Sequence, residues 1–155
     1  MDLNYTNLPL PISKLRRKTA RDMLFAAVAI GLVLVIAMIA VWMIFEHNRG
    51  DGQIAAVVLG GVPLFAMVTL LVFRNAVARG SKAASIAVYV ASGLQTLYSG
   101  LFTFMSLVAS FHMAFEPIPF FGKLMFPLLL SVFLFNLVSC VRVIVLLVRC
   151  GHEYS

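Results

Sequence analysis

Residues 85–110 read SIAVYVASGLQTLYSGLFTFMSLVAS. The stretch is apolar enough to enter a bilayer, yet hydroxyls recur through it. They fall at Ser85, Tyr89, Ser92, Thr96, Ser99, Thr103, Ser106 and Ser110, spaced alternately four and three residues apart. A mean spacing of about 3.5 residues holds a side chain on one face, the period of a left-handed helix seam. Most members are small, and Gly93 and Gly100 lie beside them. Lipid supplies little hydrophobic force between helices, so close packing of small residues and interhelical hydrogen bonds take its place. The stripe is therefore expected to be a packing seam. Its hydroxyls need no polar partner elsewhere, since Ser and Thr bond the carbonyl one turn back. A wet path for a solute is the competing reading. A proton path would require ionisable groups at depth, and the stripe has none.

Working outward, the whole chain has the same character. It has 155 residues, 62% hydrophobic and 12% charged, whereas soluble domains carry about a quarter charged residues. Four apolar stretches reach the roughly 20 residues needed to span a hydrocarbon core, at about 23–45, 53–73, 83–115 and 124–148. Membrane strands would be about 10 residues long and alternating, which these runs are not. The predicted fold is an all-α integral membrane protein, a four-span antiparallel bundle. Residues 1–22 form a basic cytoplasmic segment, 23–149 the membrane domain, and 150–155 a tail. The first apolar run is too long for a cleavable signal, so it reads as a retained anchor.

Ten of the twelve Lys and Arg fall on one side of this arrangement. Lys14, Arg16, Arg17, Lys18 and Arg21 precede the first span. Arg74, Arg79 and Lys82 lie in the second connector, and Arg142 and Arg149 close the fourth span; only Arg49 and Lys123 oppose them. The positive-inside rule then puts both termini in the cytoplasm. The +6 charge reports topology, and no nucleic-acid partner is expected. The cluster 14–21 has a second reading as an anionic-lipid clamp. A bacterial inner membrane is the expected location, with an organellar or other eukaryotic membrane as the alternative.

Two carboxamides accompany the seam. Gln95 and Asn136 each lie roughly 18 to 20 Å from the inner side by helix arithmetic. An unpaired amide there costs several kcal/mol, so the two are expected to bond each other or a common partner. In the second span Gly60, Gly61 and Pro63 predict a kink. The third span is overlong at 33 residues, roughly 50 Å, which suggests a neighbouring chain for its overhang.

Catalytic chemistry is hard to find. Asp2, Asp22, Glu46, Asp51, Glu116 and Glu153 all lie at or outside the span boundaries. No paired carboxylates, nucleophile elbow or phosphate loop is present. Arg142 is close enough to the inner interface to extend its head to water. His47 and His112, with Met43, Met105, Met113, Glu46 and Glu116, are the only candidates for a metal or haem site, and they lack ligand spacing. No cofactor is expected. Cys140 and Cys150 stand about 15 Å apart along a helix, too far for a disulfide, and Cys150 has the setting of an acylation site. The expected function is a non-catalytic accessory or assembly subunit, packed against other transmembrane helices or self-associated, with lipid as its other partner. The alternative is a small oligomeric transporter or channel using the hydroxyl face and the Gly-Gly-x-Pro kink.

Overall fold

The computed structural model describes residues 12–47, 53–114 and 120–152. These residues form α1 (Ile12–His47), a π-helical turn (Ala56–Gly60) leading into α2 (Gly61–Ala78), α3 (Lys82–Ala114) and α4 (Phe120–His152). There is no strand among them, and four helices are long and apolar enough to cross a membrane. Such a composition leaves the chain little choice, because in hydrocarbon every backbone N–H and C=O must be satisfied within the segment.

The helices stand in a ring in which α1 packs on α2 and α4, and α3 packs on α2 and α4. The main core gathers Met23, Ala26, Ala27 and Ile30 with Ala66, Leu70, Val77, Ala84, Val88, Ala91, Cys140, Val143 and Leu147. Five of these thirteen are alanine, so the backbones approach closely where aliphatic bulk would hold them apart. The outward faces are apolar: Leu97 is 74% exposed and Val57 74%. Such surfaces suit a hydrocarbon environment.

α1 starts at Ile12, well before the apolar run that marks the first span. Lys14, Arg16, Arg17, Lys18 and Arg21 therefore stand on a helix that continues into the membrane. Leu15 packs with Leu146 and Cys150 in a second small cluster, and Thr19 Oγ1 lies 3.8 Å from Cys150 Sγ. The excess length expected of the third span alone is common to α1, α3 and α4, which have 36, 33 and 33 residues. At the α1–α4 end the overhang finds its neighbour within the chain. Cys150 is buried there, so acylation would first require it to unpack.

The connection from α2 to α3 is fully determined by local chemistry. Gly80 takes φ +87°, and Gly80 N–H donates to the Val77 carbonyl while Ser81 N–H donates to that of Ala76. This is the Schellman arrangement, in which a left-handed glycine satisfies the last helical carbonyls. Ser81 then caps α3, its Oγ accepting from Ala84 N–H at 3.3 Å. The guanidinium of Arg16 lies over Gly80, where a Cβ would meet its Nη1 at 2.5 Å. This contact draws the start of α1 against the turn.

Where the sequence predicts a kink at Gly60, Gly61 and Pro63, the chain makes a π-helical turn ending at Gly60. A side chain at Gly60 or Gly61 would meet nothing within 4 Å, so close helix approach does not explain the pair. Their weak helix preference lets the ladder shift instead. Pro63 lacks the N–H that would ordinarily serve the carbonyl of Leu59. That carbonyl accepts from the Tyr98 hydroxyl on α3 at 2.8 Å. Tyr98 also packs on Phe102, ring centroids 4.6 Å apart, and Phe102 stacks on Phe133 of α4 at 5.3 Å. A proline defect in one helix thereby becomes a tie to the next.

Tyr98→Phe should accordingly destabilise the bundle by about 0.6 to 2 kcal/mol in detergent unfolding. In a Pro63→Ala background, where residue 63 supplies its own N–H, the same change should cost much less. Equal costs in both backgrounds would show that the hydroxyl does not serve the proline-freed carbonyl.

Candidate functional site

The strongest polar constellation lies between α3 and α4. Gln95, Ser99 and Asn136 are each 0% exposed. Gln95 Nε2 donates to Ser99 Oγ at 3.4 Å, one turn along α3. Ser99 Oγ donates across the helix interface to Asn136 Oδ1 at 3.2 Å. Asn136 Oδ1 also accepts from Cys140 Sγ at 3.4 Å, one turn along α4. The two carboxamides are thus joined through Ser99 as a common partner. Two donors converging on Oδ1 turn the amide oxygen toward the seam. Gln95, Ser99 and Asn136 are neutral hydrogen-bonding groups, so what they offer a neighbour is donors and acceptors.

Among the described residues, four buried side-chain atoms have no hydrogen-bond partner: Ser92 Oγ, Gln95 Oε1, Thr103 Oγ1 and Asn136 Nδ2. Gln95 Oε1 is an acceptor, Asn136 Nδ2 a donor, and the hydroxyls are both. The constellation therefore retains unused capacity of either sign.

The hydroxyl stripe divides into two rows. Ser92, Ser99 and Ser106, seven residues apart, are buried, whereas Ser85, Thr96, Thr103 and Ser110 are partly covered and Tyr89 is 48% exposed. The seam is narrower than the full stripe, and Tyr89 faces out of the bundle. Ser85, Thr96 and Ser110 donate to the carbonyls of Ser81, Ser92 and Ser106, four residues back. Of the two flanking glycines, Gly100 approaches Leu137 of α4, 4.0 Å from the position of an added Cβ. Gly93 has open space beside it.

A second polar feature joins α1 to α4. Arg142 Nε donates to Asp22 Oδ2 at 2.7 Å, with the arginine side chain 60% exposed and the aspartate side chain 11%. Reading Asp22 as a boundary residue and Arg142 as one that reaches for water on its own missed this pair. Arg142 is held to a carboxylate within the fold, which lowers the cost of keeping both near the membrane. The two residues are 120 positions apart, and only the adjacency of α1 and α4 brings them together.

Among the described residues, no group of three His, Cys, Asp or Glu side chains is placed to hold a metal ion. His112 is exposed at the end of α3. The side chains of His47 and Met113, and residue Glu116, lie outside the described part. The free thiols Cys140 and Cys150 are both buried.

Family models, curated proteins and solved structures offer no match to this chain.

The relay geometry makes a specific energetic claim. Double-mutant cycles should give a Ser99–Asn136 coupling of about 0.6 to 2 kcal/mol. Gln95 and Asn136 should couple only while Ser99 is present, and Ser99→Ala should bring that coupling close to zero. A Gln95–Asn136 coupling that survives Ser99→Ala would mean the amides meet directly.

Proposed function

We propose that this protein is a non-catalytic accessory or assembly subunit of a larger membrane complex, built as an antiparallel four-helix bundle with both termini in the cytoplasm. The observation that carries the reading is a groove of about 510 Å³ between α1 and α2, lined by Gly31, Leu34, Val35, Met38, Trp42 and Leu64, among others. Its lining is entirely hydrocarbon, aromatic ring and thioether apart from backbone and the indole N–H, and a glycine sits in its wall. Those are the requirements for close contact with another transmembrane helix. Gln95, Ser99 and Asn136, in contrast, are turned inward and linked to one another, which suits a scaffold better than a reaction centre.

The orientation is supported by three contacts. Arg16 lies at Gly80, Thr19 at Cys150, and Asp22 at Arg142, so the start of α1, the α2–α3 turn and the end of α4 share one end. That end carries the basic majority, which the positive-inside rule assigns to the cytoplasm. Reporter fusions after Asp51 and after Gly122 should both read extracytoplasmic.

One observation favours the second reading, a small oligomeric transporter or channel. The orphaned Ser92, Gln95, Thr103 and Asn136 atoms would suit a polar solute. Purification of the full chain in mild detergent separates the two readings. The accessory role predicts a stoichiometric larger partner whose yield falls with Gly31→Leu, a change that fills the groove. A homo-oligomer that conducts solute and is indifferent to Gly31→Leu would replace it with the second.

A further inference from the structure

The Asp22–Arg142 pair closes neither of two grooves that meet at it. One, of about 650 Å³, is bordered by Lys18, Arg21, Asp22, Phe25, Phe135 and Arg142. The other, of about 470 Å³, shares Lys18 and Arg142 and continues down α4 past Val145 to Arg149. The ion pair uses only Nε of Arg142, and 60% of that side chain remains exposed. The two terminal amino groups of its fork are therefore left for another acceptor. The first groove carries three cations against one carboxylate, and the second adds a fourth cation.

We propose that these grooves form a site for one anionic phospholipid, its phosphate held by Lys18, Arg21 and Arg142. The order of residues along the membrane normal matches that occupant. Phe25 lies one turn deeper than Arg21 on α1, and Phe135 two turns deeper than Arg142 on α4. Cations thus sit below and aromatic walls above, in the sequence headgroup then acyl chain. Arg21 is already drawn toward that wall, its guanidinium 5.7 Å from the Phe25 ring centroid. Basic pockets between transmembrane helices on the cytoplasmic side bind phospholipid headgroups of this kind. Asp22 contributes by fixing Arg142 Nε, which presents the remaining fork in one orientation. The basic run before the first span is thereby divided: Lys18 and Arg21 border the site, while Lys14 and Arg17 are exposed and are not among its lining residues.

The test uses full-length protein in mild detergent, with retained lipid read by native mass spectrometry. One phosphatidylglycerol should be retained in preference to phosphatidylcholine. Each cation removed should weaken retention about fivefold, so Lys18→Gln with Arg21→Gln should cost roughly 25-fold. Lys14→Gln with Arg17→Gln removes the same charge from the same helix and should cost less than about twofold. Arg21→Gln alone should cost about fivefold against less than about twofold for Arg17→Gln alone, and this comparison decides the matter if the first double variant fails to fold. Equal losses in the two double variants would overturn the site in favour of a diffuse basic field. Equal retention of the two lipids would overturn it as well. Displacement of phosphatidylglycerol by equimolar inorganic phosphate would assign the cations to a soluble anion instead.

Discussion

Hydrocarbon offers no hydrogen bonds, and each polar group this chain carries into the bilayer must find a partner inside the fold or remain costly. The Ser99–Asn136 bond between α3 and α4 is the clearest response, because both residues are fully buried and distant in sequence. Other features follow the same constraint. Threonines and serines along the helices bond their own preceding turns. The carbonyl left unpaired by Pro63 is served from the neighbouring helix by Tyr98. The charge of Arg142 is met by Asp22. Each device ties two elements or quiets one, and the small residues of the core let the helices come close enough for those ties to form.

How much of this was legible in the sequence depends on the range of each interaction. The four apolar runs are local features of composition, so they could be read directly; of the stripe on the third, Ser92, Ser99 and Ser106 are buried and Tyr89 is not. Helix starts were less legible: the basic residues 14–21 look like a flanking segment by hydropathy, yet α1 begins at Ile12 because nothing in that run opposes a helix. The role of Ser99 as a relay was partly visible, since equal depth pointed to a shared environment for Gln95 and Asn136. Which small hydroxyl stood between them depended on helix rotation. Tyr98 was legible in principle. Pro63 marks the carbonyl of Leu59 as unserved, and the two lie within about one helical turn of the same depth from the Gly80 connection. The Asp22–Arg142 pair was not, because it depends on α4 returning beside α1.

The result is a molecule with two unlike zones. Toward the end marked by Gly80 and Cys150, cations, an ion pair and the alanine-rich core tie all four helices together. Further along, a narrow hydroxyl and amide seam joins α3 to α4, while α1 and α2 leave an apolar groove between them. The two basic grooves at Lys18 and Arg142 open at that same end, and the apolar groove lies away from it.

The central claim is that the buried face of the third helix meets other helices and that its exposed face meets lipid. Single cysteines placed in a Cys140→Ala, Cys150→Ala background and exposed to a lipid-soluble thiol probe test it most directly. Cysteine at Ser92 or Ser99, both 0% exposed, should resist labelling, while cysteine at Leu97 or Phe104, 74% and 64% exposed, should label readily. Labelling of Ser92 and Ser99 positions at the rate of Leu97 would contradict the account.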